Sequence, residues 1–210
     1  HLGLYKLKYL KNHYIRNISV HDEYVELEYV PDFLAEVSEI ALERSTTGDN
    51  YSVLNSSVSI DPPTGSRPYI IRDYSALTSR SALYYRVSIK NTCSNKYSTL
   101  PAKTILLKGT NQAFNNDLDW DQSEIDEDNI LGYQLSRIID GDTTAIYNAS
   151  GEGEFVDQNI FSGNSFADVC YIIQAEHKTA NTFRNDGPFI SSSNAVCLHP
   201  TPKAIVPNAF

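Results

Sequence analysis

The sequence predicts an all-β protein built from two consecutive β-sandwiches. The composition is rich in Tyr, Ser, Thr, Val and Ile, only 20% of the residues are charged, and strand-like segments recur with a period of about ninety residues. Clusters of Gly, Pro, Asn, Asp and Ser, such as STTGDN and DPPTGSRP, separate these segments. Short strands divided by such turns are typical of a sandwich, and no long stretch keeps the periodicity of a helix.

The repeat consists of matching blocks in the two halves of the chain. The first half contains VELEYV (25–30), SEIALERS (38–45), YIIRDYSA (69–76), ALYYRVSIKNTC (82–93) and STLPAKTILL (98–107). The second half contains DLDW (117–120), GYQLSRII (132–139), GEFVDQNI (153–160), DVCYIIQAEHK (168–178) and SSSNAVCLHP (191–200). The order of the blocks agrees between the halves. The first strands are predicted at YIRNISV (14–20) and KTILLKG (103–109).

This register predicts a first sandwich over residues 13–102 and a second over residues 103–200. Residues 1–12 belong to neither repeat, and we expect them to be a linker or the tail of a preceding module. Residues 201–210 lie beyond the second repeat. Because the sequence contains no Met, we interpret the chain as part of a longer protein.

An acidic stretch, DLDWDQSEIDED (117–128), raises the question of a calcium loop. Its acids fit several EF-hand places, but the sixth place, which requires Gly, holds Gln122, and the twelfth holds Asp128 in place of Glu. The alternative is a half-buried strand in which Leu118 and Trp120 face the core and the acids face water.

The first half decides between these two interpretations. Glu26-Leu27-Glu28-Tyr29 repeats the same alternation without the acids that follow it in the second half. The strand is therefore preferred, with Tyr29 and Trp120 as core aromatics. A loop-type Ca²⁺ site is kept as the weaker alternative, with four candidate ligands: Asp121, Glu124, Asp126 and Asp128.

Charge and motifs argue against several classes of function. The net charge of −9 disfavours nucleic acid and anionic membranes as partners, and no apolar run approaches the roughly 18 residues of a membrane span. The five His residues lie in no zinc or catalytic motif, and the sequence has neither Gly-x-Ser-x-Gly nor a Gly-rich phosphate loop. We therefore predict a protein that is not an enzyme and binds no cofactor.

Four features present in both halves resemble fibronectin type III modules, which implies immunoglobulin-like sandwiches. They are the second-strand aromatic (Tyr29, Trp120), Leu-x-Arg (Leu42-Glu43-Arg44, Leu135-Ser136-Arg137), the Asp after an apolar strand (Asp73, Asp157) and a strand Tyr (Tyr85, Tyr171). The resemblance covers roughly residues 13–199. Type III modules usually carry a corner tyrosine where Leu83 and Val169 stand here, so either Tyr85 and Tyr171 take that role or the corner is missing.

The chain resembles, more narrowly, the tandem modules of large surface proteins of gliding bacteria. Its last residues, VPNAF (206–210), are similar to the start of the gliding-motility-associated C-terminal domain, the type B sorting signal of type IX secretion. This resemblance implies that residues 201–210 are the connection to a C-terminal sorting domain. It also implies an adhesin-like protein, secreted or held at the outer cell surface. The expected function is a non-catalytic spacer, monomeric as a fragment, whose partners are the neighbouring domains of the same chain.

The alternative function is a glycan- or protein-binding module that uses aromatic side chains in its loops. Such a module needs exposed aromatics near one end of a sandwich. The candidates are Phe33, Phe161, Phe166 and Phe183.

Three cysteines allow one disulfide and leave one thiol over. If the last strands form a hairpin across TANTFRNDG (179–187), Cys170 and Cys197 lie directly opposite each other on the outer face. An exported protein meets oxidising conditions in which such a bond persists. We therefore predict a disulfide between Cys170 and Cys197, which leaves Cys93 as a thiol or as the partner of a cysteine outside this chain.

Overall fold

A computed structural model describes residues 13–32, 37–56, 58–61, 68–112, 115–125, 130–158, 168–178 and 187–199. These residues form strands and turns without any helix, so the all-β prediction is confirmed for the part of the chain described. The strands form four sheets, and all their pairings are antiparallel.

Nine strands form the two sheets of the first half. They are β1 (Tyr14–Val20), β2 (Val25–Val30), β3 (Val37–Ser45), β4 (Ser52–Val53), β5 (Val58–Asp61), β6 (Tyr69–Asp73), β7 (Tyr84–Asn91), β8 (Lys96–Ser98) and β9 (Ala102–Lys103). One sheet has the order β1-β2-β6-β5, and the other has the order β4-β3-β7-β8, with β9 also paired to β7.

Eight strands form the two sheets of the second half. They are β10 (Leu107–Gln112), β11 (Asn115–Trp120), β12 (Ile130–Ile139), β13 (Asp142–Ala149), β14 (Gly153–Asp157), β15 (Val169–His177), β16 (Phe189–Ser192) and β17 (Val196–Leu198). One sheet has the order β10-β11-β14, and the other has the order β13-β12-β15-β16, with β17 also paired to β15. The sheet order of the first half is therefore repeated, except that nothing in the three-stranded sheet corresponds to β5.

Each half has its own buried apolar cluster. In the first half, Leu27 and Ile71 from one sheet contact the same cluster as Leu42 and Tyr85 from the other sheet. In the second half, residues of β10 and β11 share a cluster with Leu135 and other residues of β12 and β15. Because each cluster draws on two sheets, the sheets pack face to face as in a β-sandwich.

The alternation predicted for the acidic stretch is confirmed. Along β11, Leu118 and Trp120 are buried, whereas Asp119 is exposed. Tyr29 is fully buried at the corresponding place in β2. A Cβ atom on Gly153, opposite Trp120, would lie 3.2 Å from the indole ring, so the glycine makes room for this side chain.

Two features differ from the predicted pattern. The first strand of the second half begins at Leu107, because Lys103 pairs with Tyr84 in the first half and does not start a new strand. Strand β13 was not predicted at all. It follows β12 through a tight turn at Asp140 and Gly141, whose φ angles are 51° and 88°. Six of its eight residues are exposed.

Candidate functional site

The acidic residues considered for calcium are engaged within the protein where the structure describes them. The carboxylates of Asp121 and Glu124 lie 3.3 and 3.4 Å from the ammonium group of Lys103. Asp126 and Asp128 fall outside the described residues. In the described ranges, no group of three or more His, Cys, Asp or Glu side chains is placed to hold a metal ion.

The structure joins Cys170 and Cys197 by a disulfide, with an S–S distance of 2.00 Å. The two residues oppose each other directly between β15 and β17. Their neighbours Val169 and Tyr171 are buried, so the disulfide lies on the outer face of the sheet. Cys93 is exposed in the turn that follows β7.

The loop aromatics predicted for the binding alternative are four Phe residues. Phe33, Phe161, Phe166 and Phe183 all lie outside the described residues. Among the described residues, aromatic rings outside the strands do form a cluster: His21 and Tyr24 stack with their centroids 4.6 Å apart, and the exposed ring of Tyr74 lies 5.4 Å from that of Tyr24.

The residues that matched between the halves form the same buried polar cluster twice. In the second half, Arg137 Nη1 donates to both carboxylate oxygens of Asp157 at 3.1 and 3.0 Å, and the Tyr171 hydroxyl donates to the same carboxylate at 2.8 Å. Asn116 adds a hydrogen bond of 2.8 Å from its Nδ2 to the Tyr171 hydroxyl. A buried carboxylate requires such partners, because losing its hydration without replacement is costly.

Arg44, Asp73 and Tyr85 form the corresponding cluster of the first half. Arg44 donates to Asp73 Oδ2, and the Tyr85 hydroxyl donates to the same oxygen at 2.9 Å. Burial is the main cause that raises the pKa of Tyr85 well above its ordinary value, and the negative charge of Asp73 raises it further. The Tyr85 hydroxyl therefore keeps its proton. Tyr85 and Tyr171 thus bind a side-chain carboxylate, which differs from the backbone bond of a type III corner tyrosine.

A second polar cluster connects the two halves where β1 lies beside β16. Asn17 Nδ2 donates to the Ile190 carbonyl at 3.1 Å, and the Ser192 N–H donates to Ser19 Oγ at 3.2 Å. The Arg16 guanidinium lies 4.5 Å from the centre of the Phe189 ring, a cation–π geometry. We call these contacts the strand junction.

His177, at the end of β15, also contacts residues of the strand junction. Its Nε2 lies 3.1 Å from Ser191 Oγ and 3.2 Å from Asn17 Oδ1, and the Ser191 hydroxyl donates to Asn17 Oδ1 at 2.7 Å. Burial lowers the pKa of His177 to about 4, so its ring is neutral at pH 7. A catalytic triad uses opposite ring nitrogens of His for the nucleophile and the orienting group, whereas both contacts here share Nε2. The geometry is that of a buried structural contact.

Hydrogen bonds also hold the segment that connects the two halves. The Lys103 N–H donates to the Glu124 carbonyl at 2.7 Å, and the Leu106 N–H donates to Asp121 Oδ1 at 2.7 Å. Thr104 accepts a hydrogen bond of 2.9 Å from the Leu83 N–H through its hydroxyl. Burial alone would lower the pKa of Lys103, but the Asp121 carboxylate raises it above the ordinary value and keeps the ammonium charged. We call these contacts the connection clamp.

Comparison with known proteins finds no protein family and no curated protein that matches this chain. Among the described residues there is also no helix with the length and apolar character needed to cross a membrane.

Proposed function

We propose that this chain is a non-catalytic spacer that holds other modules of a larger surface protein at a fixed distance and orientation. The proposal rests on the two sets of contacts between the halves, the strand junction and the connection clamp. Domains joined by a flexible linker with little shared surface move relative to each other, whereas a short connection with fixed contacts couples them stiffly.

The finer part of the proposal is that each half is a fibronectin type III-like module. Its support is the common sheet order of the halves and the Arg-Asp-Tyr cluster that each half contains. A chain of similar modules with a fixed angle between neighbours is a suitable design for a stalk, because each added module extends the reach by a constant step.

We further propose an extracellular or outer-surface location, with export by type IX secretion as in the gliding-bacterial proteins that the sequence resembles. The disulfide between Cys170 and Cys197 supports an oxidising environment. The VPNAF segment that suggests the sorting domain lies outside the described residues.

Small-angle X-ray scattering of the chain tests the spacer proposal. A rigid spacer gives a scattering curve that a single arrangement of the two halves reproduces. The double variant N17A/S191A removes side chains of the strand junction and is expected to broaden the distribution of interatomic distances. N55A, at an exposed position of the first half, serves as the control and should leave the curve unchanged. A wild-type curve that requires many different arrangements would refute a spacer of this kind.

A further inference from the structure

The outer face of the four-strand array β13-β12-β15-β16 contains a depression of about 300 Å³. Its lining includes three side-chain amides and the exposed apolar side chains of Leu131 and Ile190. The lining residues that matter chemically are Gly132, Gln134, Asn148, Gln174, Glu176 and Ile190.

Gly132 lines this depression without a side chain of its own. It lies at a register shift between β12 and β15, directly opposite Glu176. A Cβ atom at this position would meet only the Ala149 carbonyl, at an ordinary contact distance of 3.4 Å. The backbone therefore tolerates a side chain here, and packing does not explain the glycine.

In the first half, longer charged side chains occupy the corresponding outer face. The same register shift occurs between β3 and β7, where Glu39 opposes Lys90, and Lys90 in turn opposes Lys96. Glu39 and Lys90 form a salt bridge of 2.6 Å, and the cavity beside them is about 110 Å³. The three corresponding residues of the second half are Gly132, Glu176 and Ile190, which leaves the depression open.

The replacements also change the chemistry of the face. Ala41 and Ser88 of the first half correspond to Gln134 and Gln174 of the second half. The second half therefore has amides at positions where the first half has small side chains. Each amide has two N–H donors and an accepting oxygen, and Glu176 adds acceptors. Within the protein, Gln134 Nε2 donates to Asn148 Oδ1 at 3.5 Å and Gln174 Nε2 donates to Ser192 Oγ at 3.3 Å, which leaves further donors and acceptors of these amides for a ligand. Among the described residues, no Lys, Arg or His side chain lines the depression, and the one charged side chain in that lining, Glu176, disfavours an anion.

We propose that this depression binds one neutral sugar unit of a glycan. Neighbouring hydroxyls of a sugar are both donors and acceptors, and the amides of Gln134, Asn148 and Gln174 match that pattern. The exposed side chains of Leu131 and Ile190, 52% and 53% accessible, flank the depression and can cover the C–H surface of the ring. The volume is at the lower end of the range for small-molecule sites, which suits a single ring. This inference goes beyond the spacer function and does not depend on it.

The side-chain NH₂ signals of Gln134, Asn148 and Gln174 in a ¹⁵N-labelled sample report on the site directly. The probes are the methyl glycosides of glucose, galactose and mannose, together with N-acetylglucosamine. We expect at least one probe to shift these three signals with a dissociation constant on the order of 1–10 mM, typical of a shallow site for a small ligand. Glucuronate should bind more weakly than glucose, because Glu176 repels its carboxylate.

Two variants introduce the residues found at the corresponding positions of the first half, Glu39 and Ser88. G132E fills the depression and Q174S shortens one amide, and each should weaken binding by at least about tenfold. T144E is the matched control, since it adds the same charge to the exposed part of β13 outside the depression, and it should change affinity by less than about twofold. The backbone spectrum of each variant shows whether it is folded.

Three results would overturn the proposal. One is the absence of shifts in these amide signals with every neutral sugar at about 50 mM. Another is binding that G132E and Q174S, both folded, leave unchanged. A third is binding of a neutral peptide amide, such as acetyl-Gly-Gly-amide, without binding of any sugar, which would make the depression a peptide site.

Discussion

The Tyr171 hydroxyl donates a hydrogen bond of 2.8 Å to the buried carboxylate of Asp157. The corresponding bond of the first half runs from Tyr85 to Asp73 at 2.9 Å. In each half, an arginine of the opposite sheet, Arg44 on β3 or Arg137 on β12, binds the same carboxylate. This cluster ties the two sheets of a half together through a buried carboxylate.

Replacing Tyr171 by Phe should lower the free energy of unfolding of the second half by about 1.5–3 kcal/mol, the usual range for a hydrogen bond to a charged group. The substitution also leaves Asn116 without its acceptor. Denaturant unfolding measures the change. Y147F is the control, because Tyr147 is partly exposed. Equal stability of the two variants would mean that the cluster does not stabilise the fold.

Replacing Trp120 by Ala should cost about 3–5 kcal/mol, because it empties a core site. Trp120 is 3% exposed, and its indole N–H donates to the Gly151 carbonyl at 3.0 Å. Thermal unfolding by calorimetry tests this. Y74A, at an exposed aromatic of the first half, is the comparison. A melting temperature of W120A within a degree or two of the wild type would contradict the burial of this strand.

Acid should weaken the second half through His177. The pKa of this ring is about 4 in the folded protein and about 6.5 in an unfolded chain, since burial disfavours the charged form. Below pH 6.5 the unfolded state therefore binds a proton that the folded state does not. Stability present above pH 6.5 is lost as the pH falls towards 4, by up to about 3 kcal/mol.

Unfolding measured between pH 7 and pH 4 in the wild type and in H177Q isolates this contribution. H177Q should show the smaller loss of stability across that window. H199Q is the control, because His199 is exposed, and it should follow the wild type. The same pH dependence in H177Q and wild type would rule out the proposed role of His177.

Peptide mapping without reduction should recover Cys170 linked to Cys197. The bond closes a loop with a sequence separation of 27 residues, so the variant C170S/C197S should lose about 3–4 kcal/mol by the chain-entropy relation. C93S should change stability by less than about 0.5 kcal/mol, as expected for an exposed position. Linkage of Cys93 to either of the other two cysteines would contradict the register between β15 and β17.

The sequence predicted the long strands well because apolar and aromatic residues mark their buried faces. It also placed Arg137, Asp157 and Tyr171 at positions that match those of Arg44, Asp73 and Tyr85, although it did not show that they touch. Contact requires the two sheets to face each other, and alternation within single strands does not specify how sheets stack.

Strand β13 was missed because it has no alternating apolar pattern: only Ile146 and Ala149 are partly buried against the core, and its other residues are exposed. The turn at Asp140-Gly141 was the available signal, since Asp-Gly is typical of a two-residue hairpin turn. No pattern in the sequence indicated the strand junction, because Asn17 and Ser191 lie 174 positions apart and neither belongs to an apolar pattern. The depression at Gly132 could not be predicted either, because it depends on strand register, which places Gly132 where the first half has Glu39.

Residual dipolar couplings of backbone N–H groups test the rigid coupling of the two halves most directly. Couplings from β2 and β7 report the orientation of the first half in a weakly aligned medium, and those from β11 and β15 report that of the second half. If the strand junction and the connection clamp hold the halves together, one alignment tensor fits both sets with the orientation seen in the structure. Two tensors of different magnitude would show that the halves move independently and would contradict the spacer proposal.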